Sequence, residues 1–286
     1  METNIILSGE HMFLILMGGC ISASTETDVS LGVLDVLTYN IHALPSAVTG
    51  DDTRGRVTEI APLLKDFDCI GIQEDWINEY HPILVEGSGL PYVDRFDVPL
   101  DDEKVYGSGL SFLGKHVIRQ SQHIYYDSCF GLLENSSDCF ASKGVQFLEI
   151  EMNGARVHLY NTHLEAGNGL EDQDVRAQQI ETILQEIDSN SPDAPVILMG
   201  DFNLEPDKEE EDLLLARIRD EGGFQLTCTQ VNCLEPNHID QIYIRSGIDI
   251  ELEVLLWERK EDFVDMQGIP LSDHPAIMTR IQWSKK

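Results

Sequence analysis

The chain has 286 residues, and 51 acidic side chains against 19 basic ones give it a formal net charge of -32. A field of that sign repels polyanions at long range and disfavours a non-specific nucleic-acid binder, although bound cations offset the repulsion locally. With 42% hydrophobic residues the chain can still bury a sizeable core, so most of the charge is read as a solubilising surface.

An apolar run, Met12 to Met17, is followed by Gly18, Gly19, Cys20 and small residues to Ser24. It is too short to span a bilayer and has the length of a signal-peptide core, although no Lys or Arg precedes it. Residues 1–24 are therefore expected to be a signal-like segment and the protein to be secreted. Lipid anchoring at Cys20 is the alternative. Residues 25–286 carry no internal repeat or low-complexity linker and read as one domain.

Val33 to Asn40 reads as the first strand, and Arg54 to Asp66 carries Val57, Ile60, Leu63 and Leu64 at helical spacing. Cys69 to Ile72 makes a second strand ending in Gln73-Glu74. From Tyr80 to Ser142 glycines break the pattern, leaving Leu110–Leu113 and Val117–Tyr126 as strand candidates. Gly144–Glu151 and Arg156–Thr162 flank Asn153-Gly154, the strongest short hairpin signal.

Asp172 to Asp188 is an amphipathic helix, Val196 to Met199 a buried strand ending at Gly200-Asp201-Phe202-Asn203, and Lys208 to Glu221 a helix with carboxylates in its first turns. His238–Arg245, Glu251–Trp257 and the segment after Ser272-Asp273-His274 complete the strands. If Cys20 leaves with the signal and Cys69 lies in a strand, four cysteines remain in two local pairs. Cys129 with Cys139 and Cys228 with Cys233 are the expected disulfides of an oxidising compartment, with free thiols as the alternative.

Six short apolar strands or their flanks end in polar groups: Asn40, Glu74, His163, Asp201 with Asn203, Asp240, and Asp273 with His274. One such end is ordinary. Together they supply what metal-assisted phosphodiester hydrolysis needs: a carboxylate for a hard cation, a His held by a carboxylate to take a proton from water, and His and Asn donors for the phosphoryl oxygens.

The ordered set Thr38-Tyr39-Asn40-Ile41, Gln73-Glu74, Asn161-Thr162-His163-Leu164, Gly200-Asp201-Phe202-Asn203, His238-Ile239-Asp240 and Ser272-Asp273-His274 resembles the endonuclease/exonuclease/phosphatase superfamily from about Val33 to Ile281. The segment Ser142-Lys143-Gly144-Val145 resembles the neutral and bacterial sphingomyelinase branch, with Ser142 where Asn is usual. The resemblance implies an α/β fold, a four-layered α/β sandwich of two mostly antiparallel β-sheets flanked by helices, with the catalytic domain spanning 25–286. It implies Mg2+, with Mn2+ or another divalent cation as alternatives, held by Glu74 with Asn40 beside it.

It further implies His274 as general base, Asp240 as the group that orients it, and Asp273 close to the metal or the imidazole. Asp201 would position the nucleophile, Asn203 and His163 would donate to phosphoryl oxygens, and Lys143 and Asn161 would contact substrate. His42, His158 and His238 are left as structural or surface residues, and Glu165 as a substrate-side group. The expected partner is a phosphodiester, a sphingolipid or phospholipid headgroup, met by a monomer in peripheral membrane contact. Trp257 and Phe263 are the nearest aromatics for that contact. The alternatives are a deoxyribonuclease I-like secreted nuclease, disfavoured by the charge, and a noncatalytic lipid- or partner-binding member of the fold.

Overall fold

The structure is a computed structural model that describes residues 30–131, 139–235 and 238–286. The signal-like segment, Cys20 included, lies outside the described residues. In chain order the elements are β1 (Leu31–Asn40), α1 (Ser46–Thr49), α2 (Thr53–Ile60) running into a 3-10 segment (Ala61–Asp66), β2 (Cys69–Gln73), α3 (His81–Ser88), β3 (Tyr92–Phe96), β4 (Leu110–Gly114) and β5 (Val117–Tyr125). There follow β6 (Gly144–Met152), β7 (Ala155–His163), α4 (Leu170–Asn190), β8 (Val196–Asp201), α5 (Glu209–Asp220), β9 (Gln225–Leu226), α6 (Thr227–Gln230), β10 (Asp240–Arg245), β11 (Ile250–Arg259) and β12 (Ile277–Lys285).

Two six-stranded sheets form, in the orders β11-β12-β1-β2-β4-β3 and β5-β6-β7-β8-β10-β9. Each is antiparallel except for one parallel pair, β1 with β2 and β7 with β8. The expected hairpin is present: β6 and β7 pair from Met152 opposite Ala155, and both Asn153 and Gly154 take the positive φ that a tight right-twisted turn requires. The helix expected over 54–66 is α-helical only to Ile60, because Pro62 has no N–H to donate and the chain tightens into 3-10.

Three apolar clusters define four layers. Leu34, Val36, Cys69 and Phe112 of one sheet meet Leu148, Val157, Leu159, Ile197, Met199 and Ile242 of the other. The opposite faces are covered by helices: Ile180, Ile183, Ile187, Leu215 and Ile218 of α4 and α5 pack on Tyr160, Leu198 and Tyr243, and α2, α3 and the 3-10 segment pack on Leu37, Tyr39, Ile70 and Ile72. This is period-2 alternation feeding two cores per sheet, which is why the inner strands look apolar throughout. Phe263 is buried and Trp257 packs against two of the clusters, so neither aromatic presents an exposed ring for membrane contact.

Disulfides join Cys129 to Cys139 and Cys228 to Cys233, and Cys69 is buried and free, as the sequence suggested. Among the described residues no helix is long and apolar enough to cross a membrane.

Candidate active site

The inter-sheet face turns polar at one edge of the sandwich. On β8 the inward residues run Ile197, Met199, Asp201; on β10, Ile244, Ile242, Asp240; on β7, Leu159, Asn161, His163; on β1, Leu34, Val36, Thr38, Asn40. Register then aligns the ends, since His163 pairs with Asp201 across β7 and β8, and Asp201 pairs with Asp240 across β8 and β10. Gly200 makes this possible: a Cβ there would stand 2.0 Å from the Thr162 carbonyl oxygen.

From the other sheet, Asn40 closes the gap. Its amide nitrogen donates to Asp201 Oδ2 and to Glu74 Oε1, both at 3.0 Å, and its oxygen accepts from the His42 N–H at 3.0 Å. Among the described residues, three of the five non-glycine positions with positive φ lie here: His42 (48°), Glu74 (61°) and Asn203 (50°). Such backbone persists only where the surroundings hold it. Glu74 is held by its carbonyl accepting from Ala43 N–H at 3.2 Å and by Asp75 N–H bonding Gly109 O at 2.9 Å. Asn203 is held by its N–H donating to Asp201 Oδ1 at 3.0 Å.

His274, in the loop before β12, brings its Nδ1 to 2.9 Å from Asp240 Oδ2 and 3.7 Å from Asp201 Oδ2. Burial alone would push the imidazolium down, but the Asp240 hydrogen bond and the charges of Asp240, Asp201 and Asp273 outweigh it and lift its pKa to about 10. Burial, then the charge of Asp240, raises Asp201 to about 6. Asp240 is raised by burial too, against the pull of the His274 hydrogen bond. His163 goes the other way: burial first, then the charges of Lys143 and His274, hold it well below the usual histidine value and therefore neutral.

These groups open on a cleft of about 460 Å3. It is lined by the polar residues His42, Glu74, His163, Asp201, Asn203, Asp273 and His274 and by the apolar or aromatic residues Leu44, Val48, Trp76, Tyr106, Phe140, Ala141 and Ala166. No Lys or Arg lines it among the described residues.

A divalent cation, implied by the sequence resemblance, fits the residues present. Glu74 Oε2 is buried with no hydrogen-bond partner, which an ionised carboxylate tolerates only beside a positive charge. Asp201, Asp240 and His274 also bring ligand atoms within 4.8 Å of one another. In that group, however, Nδ1 of His274 is already engaged by Asp240, and Asp201 already serves Asn40 and Asn203. Glu74 is the better holder.

The structure thus brings Glu74, His163, Asp201, Asn203, Asp273 and His274 to the cleft, with Asn40 and Asp240 buried behind them. Four of the expected residues are buried and already engaged within the protein. Asn40 presents its NH2 group, not its oxygen, to Glu74, so it orients that carboxylate. Lys143 is 4% exposed, donates to the Leu164 carbonyl at 2.6 Å and is not among the residues lining the cleft. Asn161 is fully buried between the sheets, donating to Ile72 O, Ser111 O and Gln146 Oε1 and accepting from Gln73 Nε2. Glu165 is buried as well and accepts from the Phe130 N–H.

Sequence reasoning missed His42, Trp76, Tyr106 and Phe140 as cleft residues. His42 and Trp76 each stand two positions beyond a residue already singled out, Asn40 and Glu74, and that spacing was the available signal.

A model of the endonuclease/exonuclease/phosphatase family matches residues 37–274. The chain is 27% identical over 277 residues to a sphingomyelinase of Mycobacterium bovis, covering 89% of this chain and 54% of the relative. It is 29% identical over 204 residues to sphingomyelin phosphodiesterase 2 of Homo sapiens, covering 62% and 48%. It therefore spans about half the length of these relatives. Among solved structures, beta toxin of Staphylococcus aureus superposes with a TM-score of 0.66 at 19% identity over 86% of this chain and 99% of the toxin, and a variant of that toxin, with a TM-score of 0.64 at 17% identity over 89% and 100%, carries bound magnesium ions.

Proposed function

Because the chain belongs to the endonuclease/exonuclease/phosphatase family, we propose that its cleft hydrolyses a phosphodiester by attack of water, with His274 as the base. The observation that carries this reading is the Asp240–His274 pair facing Glu74 across one cleft. Asp240 occupies Nδ1 of His274, which leaves Nε2 to take the proton of the attacking water. Asp201, beside both, fixes the position of that water, and Asp273 adds negative charge at the mouth.

The neutral His163 and the amide of Asn203 line the same cleft and donate to the phosphoryl oxygens as charge develops. Glu74 would hold a divalent cation, Mg2+ in the first instance, which when bound neutralises phosphoryl charge. Asn40 keeps the Glu74 and Asp201 carboxylates at a fixed separation by donating to both.

The ester proposed is a sphingomyelin-type headgroup. The named relatives support it, and so does the cleft, whose lining by Leu44, Val48, Trp76, Tyr106 and Phe140 suits an apolar or quaternary-ammonium neighbour of the phosphate. A nuclease would be expected to place Arg and Lys on backbone phosphates, and none lines this cleft among the described residues. Secretion is proposed on the two disulfides.

Side-by-side hydrolysis of sphingomyelin vesicles and duplex DNA with Mg2+ tests the assignment. Phosphocholine release without DNA cleavage is expected; DNA cleavage alone would move the chain to the nuclease reading. Absence of divalent-dependent hydrolysis across lipid, nucleotide and sugar-phosphate esters would leave the noncatalytic one.

A further inference from the structure

His42 is the cleft residue the hydrolytic scheme leaves without a task. Its Nδ1 lies 3.7 Å from Glu74 Oε2, the buried carboxylate oxygen that accepts no hydrogen bond, and 3.2 Å from Asp273 Oδ1. The backbone is fastened so that the ring points there. Its N–H is bonded by the Asn40 side chain at 3.0 Å, and its carbonyl accepts from Arg56 Nη2 at 2.8 Å. The flanking Ile41 and Ala43 N–H groups bond Gln73 O and Glu74 O. Holding a non-glycine residue at φ 48° takes all of these contacts.

We propose that His42 is a nitrogen ligand of the same cation that Glu74 holds. The inference rests on reading Glu74 as the cation holder. A site of carboxylate and water oxygens suits Mg2+, whereas an imidazole added to it raises affinity for later first-row ions far more than for Mg2+. His42 therefore raises the affinity of this site for Co2+ far more than for Mg2+.

Binding of Co2+ alone and of Mg2+ alone, measured by calorimetry on the unchanged protein, on His42→Gln and on Glu74→Gln, tests this. His42→Gln should lower Co2+ affinity about tenfold or more and change Mg2+ affinity by less than about twofold. Pulsed electron paramagnetic resonance of the Mn2+-loaded unchanged protein should show nitrogen coupling that His42→Gln removes, a signature that loss of packing alone would not produce. Unaltered Co2+ affinity in His42→Gln with no nitrogen coupling in the unchanged protein would overturn the inference while leaving Glu74 as holder, provided Glu74→Gln loses both ions. If Glu74→Gln binds both ions as before, the site itself lies elsewhere and the underlying reading falls with the inference.

Discussion

Oδ2 of Asp240 lies 2.9 Å from Nδ1 of His274, and the two residues belong to different sheets: Asp240 opens β10 and His274 stands in the loop that leads into β12. The pair is thus assembled only when the two sheets pack, so folding of the inter-sheet core and formation of the base are one event. Ser272, whose hydroxyl donates to the Asn40 carbonyl at 2.7 Å, pins the His274 loop to the end of β1.

The first prediction concerns that pair in the metal-free protein. With three carboxylates around it, His274 keeps its proton to about pH 10. Its folded pKa lies above the ordinary 6.5, so the native state binds the proton more tightly. The stabilisation is complete below pH 6.5 and is lost as pH rises through about 10. Melting temperature should fall across that window, and Asp240→Asn should lower the His274 midpoint in an NMR titration and flatten the melting profile. An unchanged midpoint in Asp240→Asn would exclude the carboxylate as its cause.

His274→Ala should lower turnover by about two to four orders of magnitude, the usual worth of a positioned general base. The residue is partly exposed in a loop, so the fold should survive, with circular dichroism and melting close to those of the unchanged protein. Near-normal turnover by this variant would remove His274 from the mechanism.

A cation at Glu74 adds positive charge near Asp201, Asp240 and His274, and like charge disfavours the imidazolium. Addition of Mg2+ should therefore lower the His274 midpoint toward neutrality, the range in which a base is useful, and a chelator should restore the high value and abolish turnover. The comparison is read by NMR on one sample before and after Mg2+. A midpoint indifferent to Mg2+ would separate the cation from the base.

How much of this was legible in the sequence follows from the period of the strands. Asn40, His163, Asp201 and Asp240 each end a run of alternating or continuous apolar residues, and a polar group in that position has to emerge at the sheet edge. The layers followed from the same runs with the helical spacing of α4 and α5. Sequence could not separate groups that emerge from groups one step deeper: Asn161 shares its face with His163 but lies two residues inside, where Gln73 of the facing sheet and Gln146 of the neighbouring strand close over it. Lys143 is a related case, since only the fold reveals the Leu164 carbonyl to which it donates. The edge strand β3 and helix α3 were invisible because five and eight residues in a glycine-broken stretch carry too little periodicity.

Asn161→Ala separates the two readings of that amide. A substrate contact would raise KM and leave stability unchanged. The structure instead has Asn161 bridging the sheets: its NH2 group bonds Ile72 O at 3.1 Å and Ser111 O at 3.2 Å, and its oxygen takes Gln73 Nε2 at 2.7 Å. Removing it breaks these three buried hydrogen bonds, for a cost on the order of 3 kcal/mol. Urea denaturation should show that loss as a lower midpoint at unchanged slope, because the surface exposed on unfolding is nearly the same. KM should stay within about twofold at a temperature where the variant is folded, since the residue is fully buried. A raised KM with an unshifted urea midpoint would return Asn161 to the substrate.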